Sequence, residues 1–66
     1  MDPAGRAMIA GAVAHARAAG VPEETIQGMI GQERVSRGGG VVPAVLAGRL
    51  HALANQYQGR RAAPGD

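Results

Sequence analysis

The 66-residue chain has no cysteine, which excludes a disulfide framework, a thiolate zinc site and a thiol nucleophile. It has neither Phe nor Trp, and its single aromatic residue, Tyr57, stands alone. The aromatic interleaving of single-strand stacking platforms is therefore missing. Lysine is absent too, and with it the phosphate-binding lysine of nucleotide loops. Hydroxyl nucleophiles reduce to Thr25 and Ser36. No apolar run approaches the roughly 20 residues of a membrane span, and Met1-Asp2-Pro3 lacks the basic start of a secretory signal. A chain this short also does not easily enclose a water-excluded pocket. The expectation is a cytoplasmic, non-enzymatic protein with no cofactor, metal, membrane or small-molecule substrate.

What remains is rich in small residues. Apolar residues make up 45% of the chain, but fourteen of them are alanine. The larger aliphatics are six Val and three each of Ile, Leu and Met. A core so thinly supplied is marginal in a monomer of this length, which makes self-association or docking the natural expectation. All seven basic residues are arginine and the net charge is only +2. Its distribution is more telling: residues 1–20 carry +1, residues 21–36 carry −2 and residues 37–66 carry +3.

Three prolines divide the chain into helices. Asp2-Pro3 opens the first, with a carboxylate to cap orphan N–H groups and a ring whose fixed φ suits the first turn. Met8, Ile9, Ala12, Val13 and Ala16 then recur at helical spacing, and Gly20 supplies the stop. Pro22 opens the second helix. Glu23 and Glu24 complement the dipole of its first turn, and Ile26, Met29 and Ile30 form its apolar face. Gly28 and Gly31 weaken it by about 1 kcal/mol each relative to alanine. Pro43 opens the third, where Leu46, Leu50, Leu53 and Tyr57 follow at intervals of four, three and four, with Val42 placed to staple onto Leu46.

These signals predict an all-α domain over residues 1–59, a small three-helix bundle with helices at about 3–19, 22–35 and 43–58. Residues 60–66 are expected to form a mobile basic tail. The expected core comprises Ile9, Val13, Ala16, Val21, Ile26, Met29, Ile30, Val35, Leu46, Leu50 and Leu53.

Ala16, Gly20, Val21, Ile26 and Met29 reproduce the spacing at the corner of helix-turn-helix proteins, which residues 12–31 resemble. Two helices crossing steeply need a small side chain at the contact and glycine in the turn. The resemblance implies a helix-turn-helix-like corner between helices one and two and membership of a DNA-binding class. In that class the second helix of the pair enters the major groove. Here its start would bring Glu23 and Glu24 against phosphates, which is unfavourable.

A second resemblance lies in the stretch Ser36-Arg37-Gly38-Gly39-Gly40-Val41-Val42-Pro43-Ala44. A glycine run leading into a helix start offers N–H groups to an anion. Val35, Ser36, Arg37, Gly38, Pro43 and Ala44 are similar to the loop of the DNA-binding domain in the xenogeneic silencers of high-GC bacteria, where an Arg-Gly-Arg loop precedes an Ile-Pro-Ala helix start. Gly39 stands where the second arginine should be, one further residue precedes the proline, and the helix over 22–34 is extra. The resemblance implies a groove or phosphate contact for Arg37 alone. The plain alternative for this stretch is a flexible connection between helices.

Two function classes follow. One is a small DNA-associated regulatory protein contacting phosphate through Arg37, Gly38, Gly39, Arg49, Arg60 and Arg61. The other is an interaction module that dimerises or docks on a larger protein through the small-residue face Ala7, Gly11, Ala14 and Ala18. His15 and His51 lie on different helices with no Cys or carboxylate pair beside them, and two ligands do not make a metal site.

Overall fold

A computed structural model of the chain describes residues 2–36 and 38–62, the last three through their backbone alone. The fold is an all-α three-helix bundle, and among the described residues there is no strand.

Helix α1 spans Pro3–Ala18. Asp2 caps it as its type predicts: its Oδ1 accepts from the Gly5 N–H at 2.9 Å, and Pro3 follows at the first helical position. Gly20, at φ 94°, closes it. The Gly20 N–H donates to the Arg17 carbonyl and the Val21 N–H to the Ala16 carbonyl, both at 3.0 Å. These are the paired bonds of a Schellman closure, which needs the left-handed residue that glycine supplies without strain.

Helix α2 spans Glu23–Ser36. Pro22 acts as its cap rather than its first residue, since the Pro22 carbonyl accepts from the N–H groups of Thr25 and Ile26 at 3.0 and 3.1 Å. The helix closes in the same way as α1. Gly38 donates to the Val35 carbonyl at 3.2 Å and Gly39 to the Arg34 carbonyl at 2.6 Å, with φ of 63° and 94° at the two glycines.

Helix α3 spans Pro43–Ala62. It continues beyond the expected end at residue 58, because Gly59 does not adopt positive φ and the next residues are Arg60, Arg61 and Ala62. Arginine and alanine are strong helix formers, and cationic residue types suit a helix C-terminus. The staple also falls one residue earlier than expected. Val42 caps α3, its carbonyl accepting from Val45 and Leu46 at 3.1 Å each, and the residue is 43% exposed. Val41 is the residue that packs against the core cluster containing Leu46.

The bundle is built chiefly on α1 packed along α3, with α2 lying more lightly against both. Its fully enclosed core is Ala12, Ala16, Ala19, Val21, Ile26, Leu46, Ala47, Leu50 and Ala54. Five of these nine are alanines, and small residues on both main helices let their axes approach closely. Ile9, Val13, Met29, Ile30 and Leu53, expected at the centre, are half-buried around it together with Tyr57. Val35 is not a core residue at all, being 82% exposed, and Met8 is 46% exposed. The α2 face runs through Ile26, Ile30 and Glu33 at intervals of four and three, and Val35 lies off that line.

Candidate functional site

Glu33 takes the core-facing position that the α2 stripe prescribes, only 4% exposed. A carboxylate buried this deeply needs partners, and Arg49 reaches over from α3, with Nε 2.9 Å from Glu33 Oε1. The arginine side chain stays 61% exposed while the carboxylate is shielded. Among the described residues no buried side-chain N or O lacks a hydrogen-bond partner. Arg49, expected as a phosphate contact, is thus held in an ion pair that ties α2 to α3.

The glycine loop is similarly engaged. Gly38 and Gly39 are exposed, but both N–H groups donate to the last carbonyls of α2 instead of pointing into an open anion nest. Arg37 lies outside the described residues, as do the side chains of Arg60 and Arg61. Of the expected mobile tail, residues 60–62 continue α3 and residues 63–66 lie outside the described residues. Position 60 follows the start of α3 by about 25 Å at 1.5 Å per residue. The loop and the basic helix end therefore stand at opposite ends of the bundle.

The corner between α1 and α2 carries a second ion pair. Arg17 Nε donates to Glu23 Oε1 at 2.7 Å and Arg17 Nη2 to Oε2 at 2.8 Å, a bidentate clasp. Gln27 Nε2 adds a bond to Oε2 at 2.9 Å. Donation from Arg17 and then from Gln27 holds the Glu23 carboxyl down at about 2, and the guanidinium is raised in turn. Both partners are exposed. At the same corner Ala16, Val21 and Ile26 are buried and Met29 half-buried around Gly20, the arrangement a tight turn between helices needs.

Ala7, Gly11, Ala14 and Ala18 are all exposed, on the side of α1 away from the buried Ala12 and Ala16. Ala4, Met8 and Ala10 are exposed as well. Arg6 and Arg17 are exposed along one edge of this side. The strip between them and Met8 offers water few polar side chains, whereas surface helices of globular proteins ordinarily turn charged side chains outward. An added Cβ at Gly11 would meet nothing within 4 Å, so the strip stands open.

Two further features escape sequence reading. His15 and His51, 36 positions apart, meet across the α1–α3 interface with their Nδ1 atoms 2.7 Å apart. Helical phase alone does not reveal which residues of two helices will oppose one another. A broad open cleft of about 850 Å³ lies at the loop end of the bundle, with Ile9, Ile30 and Leu46 as apolar lining and Asp2, Gln27 and Arg34 as polar lining. No protein-family model, curated protein or solved structure significantly matches the chain.

Proposed function

We propose that the chain is a non-enzymatic helical interaction module that docks another helix on the outer face of α1. The observation that carries this reading is the exposed strip Ala7, Gly11, Ala14 and Ala18, with Met8 beside it. Small side chains at intervals of four, three and four let a second helix approach closely. The half-exposed Met8 supplies an adaptable apolar contact. A core built largely of alanine leaves this small chain with modest stability of its own, which association would raise by mass action. The partner is a helix of a second copy or of a larger protein.

Sedimentation equilibrium of the intact chain tests the self-pairing form. Dimerisation that is lost in Ala14→Glu, with helicity unchanged by circular dichroism, is the expected result. A monomer at every concentration up to the millimolar range would remove self-pairing and leave only docking on a larger protein.

A second reading keeps the DNA-associated class, and one observation favours it. The Arg17–Glu23 clasp neutralises one of the two carboxylates at the start of α2 that would repel phosphate in a groove contact there. Against it stand the pairing of Arg49 with Glu33 and the engaged N–H groups of Gly38 and Gly39. Salt separates the two readings. Phosphate binding by several arginines weakens steeply with ionic strength, whereas a small-residue helical interface hardly responds. Binding of a DNA duplex at low salt that vanishes in the Arg37→Ala, Arg60→Ala, Arg61→Ala triple variant would favour this second reading.

A further inference from the structure

His15 on α1 and His51 on α3 face each other Nδ1 to Nδ1 at 2.7 Å, with ring centroids 5.0 Å apart and planes tilted by 43°. We infer that this pair, which by sequence alone makes no metal site, is brought close enough by the fold to seat a single exchangeable divalent transition-metal ion of the zinc or nickel type. Such ions hold imidazole nitrogen at about 2.0–2.1 Å. Two nitrogens bound at an angle between square and tetrahedral therefore stand about 2.9–3.4 Å apart. The two ring centroids and the two Nδ1 atoms lie almost in line, so the nitrogens face each other head-on. Admitting the ion requires the rings to part by a few tenths of an ångström and also to turn until both lone pairs converge on it.

The side chains have room for this movement, since the contact lies at an exposed rim of the interface. In the metal-free pair one ring donates its Nδ1 proton to the other. When both Nδ1 atoms ligate, each ring carries its proton on Nε2, and the remaining coordination positions fall to water. Imidazole is the appropriate donor for this class of ion, and hard cations such as magnesium prefer oxygen. Among the described residues no third His, Cys, Asp or Glu joins the pair, so the ion is exchangeable rather than locked in.

The ligands come from the two helices that form the main packing interface and are 36 positions apart in the chain. The seat therefore exists only in the folded protein, and a bound ion clamps α1 to α3.

The experiment is a titration of the full chain with zinc chloride and, separately, nickel chloride near neutral pH. Thermal unfolding and the histidine ring resonances are followed together. At metal concentrations about a hundredfold above the dissociation constant, the thermal midpoint is expected to rise by roughly 10 °C. Zinc should move the ring signals of both histidines with one ion per chain, and His15→Gln or His51→Gln should each abolish the thermal rise. No rise in the intact chain would overturn the inference. So would a rise that survives both single variants, an equal rise with magnesium, or perturbation of one ring alone. The ring spectra of the intact protein decide the matter independently should either variant fail to fold.

Discussion

Glycines divide sharply by their backbone geometry. Gly20 sits at φ 94°, where an L side chain crowds the neighbouring carbonyl, and Gly20→Ala is expected to cost about 1–2 kcal/mol. Gly28 lies inside α2 with ordinary helical geometry, and a Cβ added there meets nothing within 4 Å. Gly28→Ala should therefore stabilise the protein by about 0.5–1 kcal/mol, since alanine loses less backbone freedom on folding. Urea unfolding of the two variants, read as midpoint shifts at constant slope, checks both signs together. A stabilised Gly20→Ala would mean that the turn does not require a left-handed residue. The same scale explains Val35 and Glu33. Hydrophobicity favours the valine for the interior, but the line through Ile26 and Ile30 reaches position 33, and phase prevails over residue type. The carboxylate is tolerated there because Arg49 extends an exposed stem across from α3 to meet it.

Between elements, the Arg17–Glu23 clasp joins the end of α1 to the start of α2. Glu23 ionises more readily in the folded protein, its pKa lowered from 4.5 to about 2 by Arg17 and Gln27. A carboxyl with a depressed folded value stabilises the native state above its unfolded pKa and loses that contribution as pH falls toward the folded one. The clasp should therefore contribute fully above about pH 4.5 and fade between there and pH 2. Thermal midpoints of the intact chain and of Glu23→Gln, measured from pH 6 to 2, are expected to differ at the upper end and converge across that window. Parallel curves would show that the clasp does not persist in solution.

Element boundaries were legible wherever backbone chemistry sets them. Asp2-Pro3, Gly20 and Pro43 each act through geometry that neighbours scarcely alter. Gly59 was less legible, because glycine permits a left-handed stop without requiring one, and Arg60, Arg61 and Ala62 favour continuing the helix. Pairings between elements were not legible. Arg49 with Glu33 and His15 with His51 depend on how two helices are rotated against each other, and a stripe of alanines leaves that rotation weakly marked in the sequence.

Over the whole molecule, stability is distributed unevenly, and this follows from where the alanines and the larger side chains lie. The α1–α3 pair forms the body of the bundle, with Ala12 and Ala16 on one side and Leu46, Ala47, Leu50 and Ala54 on the other. Helix α2 contributes one fully buried aliphatic side chain, Ile26, and carries Gly28 and Gly31 in its interior. Its hold on the body rests on that isoleucine, the flanking Met29 and Ile30, and the two ion pairs at Glu23 and Glu33. A segment with few buried apolar contacts and low helix propensity opens at lower free energy than the rest of a domain. Amide hydrogen exchange is accordingly expected to be fastest, among the helices, in the second half of α2. Gly31→Ala, whose added Cβ also meets nothing within 4 Å, should slow exchange there by several-fold and leave the centres of α1 and α3 little changed, provided those amides exchange through local opening. Equal protection across all three helices would mean that α2 is as firmly integrated as the others. The outer face of α1 would then be presented by one rigid body, instead of by a two-helix platform carrying a looser third element.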